Sequence, residues 1–226
     1  MSRLVVVTGG AKGIGKAVAE RFAGDEVVAG GRDMLDVTDE DAVASFFERV
    51  GRVDVLVNNS GVAEGAPVAR TTLESWRHHF EVNATGAFLC TRAVLPAMLE
   101  RGEGRIVTVA STAGLRGARY TAAYTAAKHA AVGLMRATAA EVAGTGVTAN
   151  AVCPGWVRTA MMERAVDRIA ATTDRDEQQA EAALVAQMPL GRALEPEEVA
   201  EAVWFLASPG AAAINGQALV LDGGGG

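Results

Sequence analysis

A glycine-rich turn set between a strand and a helix limits this chain more than any other feature. Leu4-Val5-Val6-Val7 is a short apolar run of mostly β-branched residues, the pattern of a strand buried on both faces. Thr8-Gly9-Gly10-Ala11-Lys12-Gly13-Ile14-Gly15 follows at once, and Ile14, Val18 and Phe22 then recur at helical spacing. Residues without a Cβ let backbone N–H groups approach a ligand, and a helix N-terminus favours an anion. In this strand–turn–helix setting the glycines point to a dinucleotide pyrophosphate. Thr8, Gly9, Lys12, Gly13, Ile14 and Gly15 are therefore candidate cofactor-binding residues.

The rest of the chain repeats the alternation. Strands are predicted at Val27 to Ala29, Val53 to Val57, Arg105 to Val109, Val147 to Val152 and Ala218 to Leu221. A helix is predicted from Thr38, with Asp41 as capping-box partner and Ala42, Val43, Phe46, Phe47 and Val50 as its apolar face. A long helix is predicted from a cap at Thr71 and Glu74 through Trp76, Phe80, Phe88 and Leu95. Further helices run from Ala122 to Val142 and, after Pro196, from Glu197 to Leu206. Such alternation predicts an α/β fold: a single Rossmann-type domain over residues 1–226, its doubly wound parallel sheet covered by helices on both faces. One connection is short. Only Gly30 to Asp33 separates the second strand from Met34-Leu35-Asp36, whereas a parallel crossover needs about a dozen residues or more. Six strands are predicted, with the second at the sheet edge.

Composition narrows the partners. The net charge of −6 disfavours nucleic acid and anionic membrane, which call for a basic face. No stretch is expected to reach membrane-spanning length, and the chain enters a strand almost at once, so a cytoplasmic location is the default expectation. Cys90 and Cys153 lack metal-ligand spacing and read as buried, reduced thiols; no metal site is expected.

Tyr124 and Lys128 are four residues apart, on one face of a predicted helix. An isolated phenol has a pKa of about 10, and a nearby ammonium lowers it toward the range useful for general acid–base work. Ser111 lies thirteen residues before Tyr124 and follows a predicted strand, which puts its hydroxyl at a carboxyl end of the sheet, where open α/β sheets bind ligands. Tyr120 reads as a packing or pocket-wall residue. His78, His79 and His129 form no ligand-like cluster, and His129 reads as helix packing or surface. Arg116 and Arg119 read as solvated loop charges, with contact to an anionic substrate as the alternative.

Together these motifs resemble the short-chain dehydrogenase/reductase family along nearly the whole chain, beginning with its Thr-Gly-x-x-x-Gly-x-Gly turn. The resemblance implies an NAD(P)-dependent oxidoreductase that moves a hydride between nicotinamide and a small-molecule carbonyl or alcohol. It implies that Ser111 orients the substrate oxygen, Tyr124 protonates it, Lys128 holds the nicotinamide ribose, and Asn83 holds a water linking Lys128 to solvent. Asp36-Val37 matches the pair whose Asp accepts from the adenine amino group. Asn58-Asn59-Ser60-Gly61 matches Asn-Asn-Ala-Gly, with Ser60 in place of Ala. Pro154, Gly155, Val157 and Thr159 match a segment bordering nicotinamide. Gly31 stands where NAD-dependent relatives tend to carry Asp, and Arg32 follows, so NADP is the preferred cofactor; Asp33 leaves NAD open. Residues 156–192 resemble a substrate lid. The segments Val152-Cys153-Pro154-Gly155 and Pro189-Leu190-Gly191-Arg192 resemble 3-oxoacyl-thioester reductases and polyketide ketoreductases. A homotetramer is implied, with long helices pairing around Phe88 and Val132. The competing readings are a non-catalytic cofactor sensor and a structural protein on the same fold. Neither needs Asn83, Ser111, Tyr124 and Lys128 together.

Overall fold

Strand β1 (Leu4–Thr8) buries Val5, Val6 and Val7 completely because its alternating side chains feed two separate apolar layers. The structure is a computed structural model and describes residues 2–186 and 188–225. Met1 and Gly226, the ends of the expected domain, and Gln187, within the expected lid, lie outside the described residues. Beside β1 run β2 (Glu26–Gly30), β3 (Val55–Asn58), β4 (Gly104–Val109), β5 (Val147–Pro154) and β6 (Ala218–Leu221). All pairs are parallel, in the order β2-β1-β3-β4-β5-β6. The expected six-stranded sheet with β2 at its edge is what forms.

Helices α1 (Gly13–Arg21) and α8 (Pro196–Leu206) cover the face carrying Val5, Val7, Val55, Val57 and Val152. Helices α2 (Glu40–Val50), α4 (Gly86–Arg101) and α5 (Ala122–Glu141) cover the other, packing on Val6, Leu56, Ile106 and Ala149. The short link after β2 closes as a turn, with Met34 and Leu35 N–H groups both donating to the Gly31 carbonyl. Leu35 and Val37 then enter the core beside α2 and α4.

Several local expectations are corrected. The α2 cap is Asp39, whose carboxylate accepts from the Ala42 N–H; Thr38 instead donates its hydroxyl hydrogen to Asp36. Helix α3 (Leu73–Phe80) is capped by Thr72 on the Ser75 N–H, while Thr71 turns back to the Pro67 carbonyl. In both cases a neighbour one residue along has the extended backbone a cap requires. Helix α3 runs through a π turn (Glu81–Thr85) into α4, and this continuous stretch of 29 residues is long and apolar enough to cross a membrane, contrary to expectation. Here it lines the sheet, with Leu89, Cys90, Val94 and Met98 in the core. Val132, on one of the two long helices expected to pair between subunits, is 1% exposed and turns its side chain into the same layer.

Candidate active site

Strand β4 ends at Val109, and the chain turns at Ser111, which has extended backbone and opens a single helical turn (Thr112–Gly114). The Ser111 Oγ accepts from the Ala113 N–H at 3.1 Å, and the same hydroxyl acts on the Tyr124 phenol, favouring its ionised form. Tyr124 lies in the first turn of α5, and Lys128 one turn later on the same face. The Lys128 Nζ is 5.9 Å from the Tyr124 ring centroid and donates to the Val109 carbonyl at 2.9 Å. Serine, phenol and ammonium are thus gathered at one carboxyl end of the sheet.

Their electrostatics differ from the sequence expectation in one respect. Burial raises the Tyr124 phenol above its ordinary value, the Ser111 hydroxyl opposes this, and Cys153 adds to it. Burial outweighs the expected lowering by the Lys128 ammonium, which is committed to the Val109 carbonyl and lies 5.9 Å from the ring centroid. Lys128 itself is 5% exposed, and burial pulls it down to about 8, with Cys153 acting in the opposite sense.

The glycine turn forms the adjoining crevice. A Cβ on Gly15 would collide with the Gly9 carbonyl and the Asn59 amide, so only glycine lets the start of α1 approach the turn this closely. Thr8 Oγ1 accepts from the Asn59 and Ser60 N–H groups at 3.0 Å each, and Asn59 Nδ2 donates to the Thr8 and Gly9 carbonyls at 3.0 Å. No side chain caps α1, whose N-cap is Lys12, so its first N–H groups face the turn. Ile14 packs into the core behind it. This cradle fits a dinucleotide pyrophosphate. Thr159, at the N-cap of α6 (Ala160–Thr172), abuts Gly13 across the crevice. Val157 pairs with Leu194, and Pro154 and Gly155 end β5 against Leu221, so the expected nicotinamide segment borders the same crevice.

At the far end, Asp36 Oδ1 accepts from the Thr38 backbone and hydroxyl, and Oδ2 pairs with Arg32 at 2.7 Å. The Thr38 hydrogen bonds, helped by Arg32 and opposed by burial, hold the Asp36 carboxyl below its ordinary range. Arg32 is 78% exposed at its side chain and so stays open to an anion. Val37 is instead a core residue against Gly86. Asn58 also turns inward: its Nδ2 donates to Thr91 at 3.0 Å, away from the crevice.

Asn83 lies in the π turn, a distortion common at functional sites. Its Nδ2 donates to the Val62 and His79 carbonyls, and its Oδ1 accepts from the Val62 N–H at 3.2 Å. Both ends of this amide therefore hold backbone. A Cβ on Gly61 would lie 2.9 Å from that oxygen and 3.6 Å from the Lys128 Nζ, which places Asn83 and Lys128 against the same glycine.

The lid expected at 156–192 contains α6 and α7 (Glu177–Val185), joined by a small cluster of Met162, Leu184 and Ala193. Arg168 on α6 donates to the Gly65 carbonyl at 3.0 Å. Between them lies a cavity of about 80 Å³ bordered by Glu64, Ala66, Thr71, Ser75, Ala123 and Arg168. Arg116 does not reach it; its guanidinium pairs with Asp222 and the Gly225 carbonyl. Tyr120, expected to pack or to wall a pocket, is 56% exposed, which rules out the first, and has a left-handed backbone (φ 64°), alone in this among the described non-glycine residues.

Three residues of this neighbourhood escaped the sequence reading. Asn59 was visible in the Asn-Asn-Ser-Gly run but not separable from Asn58. Cys153 signalled only a buried thiol; burial raises it, and the Ser111 backbone and Lys128 lower it, which puts it beneath the reacting groups. His79 carried no pattern at all.

A parallel sheet with a glycine cradle at one switch point, and a serine–tyrosine–lysine group beside it, defines an NAD(P)-dependent oxidoreductase of Rossmann type. A family profile described as enoyl-(acyl carrier protein) reductase matches residues 31–225. A Streptomyces coelicolor protein assigned as a ketoacyl reductase is 41% identical over 252 residues, covering 99% of this chain and 97% of its own. The 3-oxoacyl-[acyl-carrier-protein] reductase of Escherichia coli is 36% identical over 246 residues, covering 98% and 96%. The crystal structure of a variant of actinorhodin polyketide ketoreductase with NADPH superposes with a TM-score of 0.91 at 38% identity, covering 99% and 97%. The chain belongs to the short-chain dehydrogenase/reductase family, and its cofactor is NAD(P).

Proposed function

We propose that this protein is an NADPH-preferring ketoreductase whose substrate is a 3-oxoacyl thioester or a related ketone. The reading is carried by one observation: Ser111, the Tyr124 phenol and the buried Lys128 are gathered at one carboxyl end of the sheet, with the Lys128 Nζ close to Gly61 next to the glycine cradle. The nicotinamide, when bound, supplies the hydride. Ser111 orients the carbonyl oxygen, and Tyr124 gives that oxygen its proton. A phenol raised above its ordinary value is protonated throughout the neutral range, which suits donation to an oxygen. Lys128 holds the ribose hydroxyls, and Asn83 steadies the loop beside it. Thr8, Gly9, Lys12, Gly13, Ile14 and Gly15 cradle the pyrophosphate, with Ser60 and Gly61 alongside. Arg32 takes the 2′-phosphate, Asp36 and the backbone of Val37 border adenine, and Pro154, Gly155, Val157 and Thr159 border nicotinamide.

Names of relatives support the substrate class, since ketoacyl and 3-oxoacyl reductases recur among them. Residues 156–192 close over the substrate as a lid on one dinucleotide-binding domain. Two buried free thiols fit a reducing, cytoplasmic setting. Exposed Phe88 and Leu99 on α4, and Phe205 and Leu219 elsewhere on the surface, support a homotetramer, to be checked by light scattering.

The test is NADPH oxidation against a panel of 3-oxoacyl thioesters and ketones. Tyr124→Phe is expected to lower kcat by roughly a hundredfold or more while NADPH affinity stays within about twofold. Turnover equal to wild type in that variant removes Tyr124 from the proton step.

A further inference from the structure

His79 is completely buried, one helical turn before Asn83, and the reaction described above makes no use of it. Its environment sets its tautomer. The Nε2 receives the Glu64 backbone N–H at 3.0 Å, which can only donate, and the Nδ1 lies 2.7 Å from the Ser75 carbonyl, which can only accept. The ring is therefore a neutral imidazole with its proton on Nδ1. Its backbone carbonyl accepts from Asn83 Nδ2 at 3.0 Å. The imidazole also stands nearly perpendicular to the Tyr124 ring, with centroids 6.4 Å apart and an interplanar angle of 76°.

The loop that His79 grips is a junction. Val62 is bonded by Asn83, Glu64 by His79, Gly65 by Arg168 of the lid, and Ala66 donates to the carbonyl of Tyr120, just before the catalytic helix. Of the three side chains holding it, His79 and Asn83 are buried and Arg168 is at the surface. From this geometry we propose that His79 is a positioning residue that sets kcat by clasping the Val62–Ala66 loop and walling the Tyr124 ring. It acts through Asn83 and Tyr124 and touches neither substrate nor cofactor. Any residue of similar volume can fill the site; only an acceptor on the Nε2 side can satisfy the Glu64 N–H.

This inference rests on Tyr124 being the proton donor, and its test separates the two ideas. His79→Leu keeps the volume and removes both polar atoms. It is expected to lower kcat by roughly tenfold or more, with the NADPH dissociation constant within about twofold of wild type. His79→Gln offers an oxygen to the Glu64 N–H and is expected to recover most of that loss. His79→Asn keeps a donor toward Ser75 but is too short to reach Glu64, so it should behave like His79→Leu, and it serves if the leucine variant does not fold. Hydrogen exchange of the 62–66 amides should be faster in the Leu and Asn variants and near wild type in Gln. Wild-type kcat in His79→Leu, or a Gln variant no better than Leu, overturns the proposal. So does an unchanged 62–66 exchange rate, or a matching loss of NADPH affinity. If wild-type protein reduces no ketone in the panel, the ketoreductase reading fails, and the exchange comparison still decides the clasp.

Discussion

Lys128 shows how a single buried charge trades stability for function. Its ordinary pKa is 10.5 and its folded value is about 8, chiefly through burial. Below pH 8 both folded and unfolded chains hold the proton, so the cost of burying it is carried in full. Between 8 and 10.5 the unfolded chain holds more protons than the folded one, and stability rises with pH. Lys128→Met is therefore expected to be inactive yet more stable than wild type at pH 7, by about 2 kcal/mol in urea denaturation without cofactor. The gain should shrink as pH approaches 10. A variant less stable than wild type at pH 7, or a gain that ignores pH, would show that Lys128 is better solvated than its burial implies. Cys90, by contrast, is pushed up to about 12 by burial and stays an inert thiol.

Elements depend on capping choices that a pattern alone leaves ambiguous. Thr38, Asp39 and Asp41 are all plausible at the start of α2, but only Asp39 combines an extended backbone with a carboxylate on the Ala42 N–H. Asp39→Ala should cost about 1 kcal/mol, whereas Asp41→Ala should stay within about 0.5 kcal/mol, both by urea denaturation with kcat unchanged. Equal losses would mean that the first turn is stabilised by charge rather than by the cap. The π turn between α3 and α4 belongs to the same scale. Its extra residue changes the pitch where Asn83 must face Val62 while the flanking turns keep His79 and Leu89 inward.

At the scale of the molecule, the short turn after β2 has two consequences. It leaves β2 as the sheet edge, and it sets Arg32 against Asp36 at the edge of the sheet. In that turn the Asp36 carboxylate is the support for Arg32. Arg32→Ala is expected to weaken NADPH binding by roughly tenfold and leave NADH nearly unchanged, measured by fluorescence titration. An unaltered preference would take Arg32 out of the site.

Local spacing alone determined the strand–turn–helix start, the βα alternation, the six-strand count and the pairing of Tyr124 with Lys128 on one face. Each depends on residues within a few turns of one another. Tertiary structure decided the rest. That Val132 is core, that Asn58 turns to Thr91, and that the Lys128 ammonium bonds the Val109 carbonyl all depend on which distant backbone comes near. His79 is the clearest case. Its partners lie fifteen residues upstream at Glu64 and on another helix at Tyr124, a distance at which no periodicity can speak. Short-range order is set by side-chain pattern, whereas a buried polar group is defined by whatever folding brings within hydrogen-bond reach.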